Sequence, residues 1–186
     1  MPLTEQEIDA YVEAAKEGDK TAFGHLYDHF FGKLYRYVFF RVPQHDVEDL
    51  VENVFIKTWT KLDSYEKRDV KFSSWLFRIT HNAIIDYRRA HKKILPIDPR
   101  IKDESLEAAP KRIAEQKLQA NQVREAVNQL NEPYRQLITL KFLIGLSNQE
   151  IAEIMRQREG NVRVMQFRAL KQLKQIFAEK NLTFEL

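Results

Sequence analysis

Apolar residues recur at steps of three and four along most of the chain, and the elements end where that rhythm breaks. Residues 5–17 place Ile8, Tyr11, Val12 and Ala15 on one side, and Gly18 with Asp19 stops the pattern. From Thr21 to Phe39 the aromatic-rich series Phe23, Leu26, Tyr27, Phe30, Phe31, Leu34, Tyr35, Val38 and Phe39 predicts a helix buried over a wide arc. Pro43 interrupts, and DVEDLVENVFIKTWTKL restarts the period with Val47, Leu50, Val51, Val54, Phe55, Thr58 and Leu62 on its packing side. A polar stretch leads into FSSWLFRITHNAIIDYRRAHKK, with Trp75, Leu76, Ile79, Ala83 and Ile84 inward and Ser73 or Ser74 as N-cap. Residues 94–111 carry three prolines, mixed charges and no period, the signature of a linker. The expectation is an all-α fold of two small helical domains, residues 1–93 and 112–186, joined by a flexible linker over 94–111. Nothing in the pattern requires the two domains to pack on each other.

The region from Glu132 to Phe177 has its own grammar. A helix (EPYRQLITLKFL) is followed by a Gly-containing break, a short helix (LSNQEIAEIM), a polar turn (RQREGN) and a longer basic helix (VRVMQFRALKQLKQIF), which together predict a helix-turn-helix. Ser147 and Glu150 have capping-box spacing. Gly160 is expected to supply the permissive backbone between the two crossing helices. On a 100° wheel Val162, Met165, Ala169, Leu173, Ile176 and Phe177 face inward, while Arg163, Val164, Phe167, Arg168, Lys171 and Lys174 face out. A cationic face with two apolar side chains suits a DNA major groove, where guanidinium and ammonium groups meet phosphates and base-edge acceptors and an apolar group meets a thymine methyl.

Composition narrows the alternatives. The 186 residues carry a net charge of only +3, so the clustering of positive charge, and not its total, points to nucleic acid. No run of about 18 apolar residues predicts a membrane span, and the N-terminal stretch lacks the form of a secretory signal. There is no cysteine, which removes disulfides, thiolate metal sites and thiol nucleophiles. The chain is expected to be cytoplasmic, without membrane insertion. His81, Asp86 and His91 lie at steps of five, roughly 140° apart on a helix, so one face cannot gather them around a metal. No Gly-rich phosphate loop or clustered carboxylate pair suggests an enzyme, a cofactor or a small-molecule substrate. In the helix that starts near residue 73, Arg78, His81, Asn82, Arg88, Arg89, His91, Lys92 and Lys93 exceed what a helix C-terminus needs, and Tyr65, Phe72 and Trp75 lie nearby. Basic groups interleaved with rings suit a single nucleic-acid strand.

In this order the segments resemble an extracytoplasmic-function (ECF) sigma factor of the bacterial sigma-70 family. FGHLYDHFFGKLYRYVFFRV and DVEDLVENVFIKTW resemble the opening helix and the core-polymerase-binding signature of its region 2. FSSWLFRITHNAIIDYRR is similar to its promoter-melting stretch, and LNEPYRQLITLKFLIGLSNQEIAEIMRQREGNVRVMQFRALKQL to region 4. The resemblance implies that Asp49, Leu50, Val51, Glu52, Asn53, Phe55 and Trp59 dock on core RNA polymerase. It implies that Ser64, Tyr65, Phe72, Trp75, Arg78, Asn82, Asp86, Arg88 and Arg89 serve the −10 DNA. Arg163, Val164, Phe167, Arg168, Lys171 and Lys174 would serve the −35 duplex. Core polymerase, promoter DNA and an anti-sigma factor are the implied partners. The chain departs from the family pattern at Asn53, Thr80, His81, Asn161, Val164 and Phe167; Asn161 can still cap its helix, and the changes leave the −35 sequence open. The alternative is a stand-alone helix-turn-helix regulator whose first domain is an effector or dimerisation module.

Overall fold

The computed structural model describes residues 3–67, 70–91 and 122–180, and the expected linker lies outside them. Among the described residues all regular structure is helical. The first domain comprises α1 (Glu5–Lys16), α2 (Lys20–Phe39), α3 (Val47–Thr60) and α4 (Phe72–His91). Thr4 caps α1 in a reciprocal box with Glu7, and Asp19 caps α2 through the backbone N–H groups of Thr21 and Ala22. Gly18, at φ 94, lets the chain turn between them. The four helices close on Leu26, Phe30, Leu34, Val47, Val51, Val54, Leu76, Phe77 and Ile84, all buried. α4 starts one residue before the expected cap, so Ser73 and Ser74 lie in its first turn.

The second domain comprises α5 (residues 122–129), α6 (Glu132–Ile138), a π-helical turn (Thr139–Leu143), α7 (Asn148–Met155) and α8 (Glu159–Glu179). Asn131 caps α6 by accepting from the Tyr134 N–H, with Pro133 in the first turn where its missing N–H costs nothing. Gly145, at φ 85, ends the π turn. Ser147 and Glu150 form the expected capping box on α7. The turn into α8 departs from expectation: its left-handed residue is Arg156 (φ 54), whereas Gly160 is already helical inside α8. The cap position is Arg158, without a side-chain bond, and Asn161 lies within the helix. Ile151, Ile154, Val162, Ala169, Leu173, Ile176 and Phe177 are buried between α7, α8 and α6.

The two domains pack together, which the periodicity did not require. α4 lies against α7, α2 touches the π turn, and the buried apolar residues of both domains form one cluster. Because Gly160 is helical and an added Cβ meets nothing within 4 Å, Gly160→Ala is expected to stabilise the chain by about 0.5–1 kcal/mol. A hinge glycine would give the opposite sign, and urea denaturation distinguishes the two.

Candidate polymerase and nucleic-acid interfaces

α3 turns its packing side to α2 and α4, which decides which of its residues can meet a partner. Val51 and Phe55 are 0% and 5% exposed, so the expected docking contacts from these two are corrected to core supports. Phe55 meets Phe23 edge-on at 6.3 Å and Tyr27 at 4.5 Å. Leu50 and Trp59 are half-buried, and Trp59 meets Phe23 edge-on at 4.9 Å. The open face consists of Glu48, Asp49, Glu52 and Asn53, joined by Ile56, which is 61% exposed. Ile56 was missed from the sequence although it stood off the packing stripe, which was the available signal. An exposed isoleucine among carboxylates fits a partner surface with apolar and basic groups.

On α8 the two sides separate as the wheel predicts. Arg163, Val164, Phe167, Arg168, Lys171 and Lys174 are all exposed, with Val164 at 50% and Phe167 at 71%. Arg163 donates to Glu159 one turn earlier at 2.6 Å, a solvent-exposed pair that a phosphate can displace at little cost.

The expected −10 residues divide into three groups. Trp75, Arg78, Asn82, Asp86 and Arg89 follow one another at steps of three and four and line one stripe of α4, with Asn82, Asp86 and Arg89 exposed and the first two half-buried. Tyr65 and Phe72, expected on the surface, are 2% and 1% exposed. Their rings lie 5.5 Å apart, each within 6 Å of Trp75, and the Tyr65 hydroxyl donates to the Val70 carbonyl at 3.0 Å. Burial pushes the Tyr65 phenol up to about 12, with Asp9, Glu5 and Glu13 adding to the shift, so it stays a neutral donor. Both residues shape the loop before α4 and do not present rings to a base. Ser64 is exposed, its hydroxyl donating to the Lys61 carbonyl at 2.6 Å. Tyr87, absent from the sequence-derived set, ties α4 to the start of α3 by donating to Asp46 at 2.5 Å.

Arg88 forms the third group, because it faces the other domain. Ser74, His81 and Arg88 repeat every seven residues along a second flank of α4. The Ser74 hydroxyl donates to Glu153 of α7 at 2.8 Å. Arg88 pairs with Glu132 of α6 and donates to the Arg41 carbonyl at 2.8 and 3.2 Å. Arg41, 2% exposed, pairs with Glu132 as well and donates to the Tyr37 hydroxyl at 2.6 Å. Arg135 approaches the same carboxylate at 3.8 Å, and Arg124 donates to the Val42 carbonyl at 2.5 Å while lying over the Phe39 ring. The C-terminal domain is thus fastened by charged groups whose partners lie across the domain boundary.

These folds and faces have relatives. The Sigma-70 region 2 model matches residues 26–94, and the Sigma-70 region 4 model matches residues 120–173. The ECF RNA polymerase sigma-E factor of Escherichia coli is 36% identical over 178 residues, covering 90% of this chain and 91% of that protein. The chain belongs to the ECF sigma factors of the sigma-70 family. It directs promoter-specific initiation by RNA polymerase, as that family does. With both regions present, the stand-alone regulator is not favoured. The ECF sigma factor BldN of Streptomyces coelicolor is 29% identical over 90% of this chain, which spans 65% of BldN's length. Among solved structures, CnrH in complex with the cytosolic domain of CnrY superposes with a TM-score of 0.71 at 25% identity, covering 93% of this chain and 98% of that one. The sigma factor RpoE of Bartonella quintana, in complex with the anti-sigma factor NepR, shares the fold at a TM-score of 0.65 and 23% identity, over 84% of this chain and 96% of that one. No helix among the described residues is long and apolar enough to cross a membrane.

His81 gives this sigma factor a titratable group beside the cluster. Its Nδ1 lies 3.4 Å from both the Tyr37 hydroxyl and Arg41 Nη2, so it accepts and the ring is neutral. Burial, then the positive charges of Arg41 and Arg88, push its pKa from 6.5 to about 4. The unfolded chain therefore takes up a proton near pH 6.5 that the folded chain refuses until about pH 4. Stability from the neutral ring is complete above that window and lost as pH falls through it. Wild type is expected to lose on the order of 2 kcal/mol more than His81→Gln between pH 7 and 4.5, read by denaturant titration; parallel losses would show that His81 is not the titrating group.

Proposed function

We propose that this sigma factor distributes its work over three helical faces. The supporting observation is the division of α8, whose inner residues are buried, Met165 partly so, while every one of the six outward residues is exposed. Arg163, Val164, Phe167, Arg168, Lys171 and Lys174 meet the −35 major groove and its flanking phosphates. Asp49, Glu52, Asn53 and Ile56, with the edges of Leu50 and Trp59, dock on core polymerase, and Val51 and Phe55 hold α3 in place beneath them. The α4 stripe, with Ser64 at the loop before it, receives the −10 DNA. Opening duplex costs about 1–2 kcal/mol per base-pair step. Trapping an unstacked base and holding the displaced strand on Trp75, Arg78, Asn82 and Arg89 offsets part of that cost by binding alone. The chain acts in the cytoplasm with the polymerase and performs no covalent step of its own. CnrH is solved with the cytosolic domain of CnrY and RpoE with the anti-sigma factor NepR, and by analogy this chain has an anti-sigma partner.

Run-off transcription by purified core polymerase on a pool of randomised −35/−10 promoters is the direct test. Selective transcripts only in the presence of this chain are expected, and transcription indifferent to it would overturn the reading. Lys171→Ala is expected to weaken −35 duplex binding alike on all sequences and to make the salt slope shallower by about 1; an unchanged slope would remove Lys171 from the phosphate contacts. Glu52→Lys is expected to weaken core binding, measured by titration, while −35 duplex binding by the full chain does not weaken. Equal core affinity would exclude the acidic face of α3 from docking.

A further inference from the structure

The cluster around Glu132 contains more positive charge than it neutralises. Three guanidiniums, those of Arg41, Arg88 and Arg135, meet this one carboxylate. Arg41 is 2% exposed, and its Nε has no hydrogen-bond partner. The crowding also shows in Arg88, whose pKa is lowered to about 10 by burial and then by the charges of Arg41 and Arg135. Arg41 is held by Tyr37, and Arg88 is held by the Arg41 carbonyl, so both heads are fixed by the N-terminal domain. The acid comes from the other domain. Two adjacent guanidiniums in fixed orientation match the oxygens of a carboxylate or a phosphodiester equally well.

The same flank of α4 receives further acids from the C-terminal domain. Glu153 accepts from Ser74 at 2.8 Å, and Glu150 lies 4.0 Å from Lys71, just ahead of the helix. Glu153 and Glu132 thus lie roughly 21 Å apart along the helix, the rise from Ser74 to Arg88, with Glu150 just ahead of its start. They lie beside the stripe of Trp75, Arg78, Asn82, Asp86 and Arg89. A row of negative groups against the DNA-facing helix copies the charge of a nucleic-acid backbone.

We propose that Arg41 and Arg88 form a phosphodiester-binding site on the N-terminal domain, and that Glu132 fills it in the free chain as a substitute for a DNA phosphate. The inference rests on the reading that α4 faces promoter DNA. The C-terminal domain and DNA then compete for the same two guanidiniums. The closed chain holds nucleic acid weakly through its first domain, and separation of the domains, as the −35 and −10 elements are engaged together, uncovers the site.

The test uses the full chain and a fluorescein-labelled 12-base-pair duplex with a single-stranded tail of arbitrary sequence, since phosphate contacts need no promoter. Glu132→Gln removes the competing carboxylate. Glu125→Gln changes net charge equally but breaks, among the described residues, the pair with Lys180, 2.9 Å away within the C-terminal domain. Anisotropy titrations at about 0.1 M salt are expected to show Glu132→Gln tightening binding about fivefold or more. Its salt slope is expected to steepen by about one phosphate contact, and its radius of gyration by small-angle scattering to increase. Adding Arg88→Gln to Glu132→Gln should abolish the gain while the chain stays expanded. Adding Arg41→Gln should likewise abolish the gain; if it lowers stability too far to assay, the Arg88 arm decides alone. The proposal is overturned if Glu132→Gln binds like wild type, if Glu125→Gln tightens binding equally, or if the gain survives Arg88→Gln. Run-off transcription distinguishes the failures: promoter-selective transcripts with any of these outcomes overturn only the competition, whereas their absence overturns the functional reading.

Discussion

A guanidinium taken almost wholly out of water needs partners around it, and Arg41 imposes that demand on both domains. Burying such a charge without partners is prohibitive, so its neighbours are constrained by it. Tyr37 reaches it from α2, His81 from α4 and Glu132 from α6. Arg88 closes the arrangement by bonding the Arg41 carbonyl and sharing its acid. Three helices from two domains are therefore positioned by one side chain. The apolar cluster supplies the larger share of the driving force, but it is not directional. The polar contacts select one docking arrangement from those that would bury similar area.

That arrangement has consequences for the functional faces. The acidic face of α3 and the cationic outer face of α8 are left open, so the contacts proposed for them need no rearrangement within either helix. α4 is treated differently. Its stripe is open toward the C-terminal end, while the adjacent flank carrying Ser74, His81 and Arg88 is covered by carboxylates. The helix proposed to receive the −10 DNA is thus one whose charge is balanced by another part of the same chain. His81 adds a neutral, pH-sensitive member to this balance.

Most of the fold could be read along the chain because helices announce themselves locally. The α8 wheel, the Ser147–Glu150 box and the Asp19 stop signal are all contained within a few residues, and each appears where the pattern placed it. The misreadings arose where local chemistry offered equivalent choices. Gly160 was the natural hinge, yet Arg156 adopts the left-handed conformation, because the turn's position is fixed by how α7 and α8 pack. Tyr65 and Phe72 combine ring and position in a way that suits either a stacking platform or a core, and a neighbour distant in sequence, Phe30 of α2, helps decide for the core. Ile56 was a local signal that went unread.

The sequence by itself determined the helices, their buried and exposed sides, the helix-turn-helix and, through the order of its motifs, the family. Periodicity and capping depend on residues within one or two turns of each other, so no knowledge of the fold is needed to see them. Only the tertiary structure decided that the two domains close on each other, that Val51, Phe55, Tyr65 and Phe72 are supports and not contacts, and that Glu132 lies between Arg41 and Arg88. Those facts are made by pairs separated by tens of residues, Arg41 and Glu132 above all, and the charge pattern of a chain does not say which acid will answer a buried base.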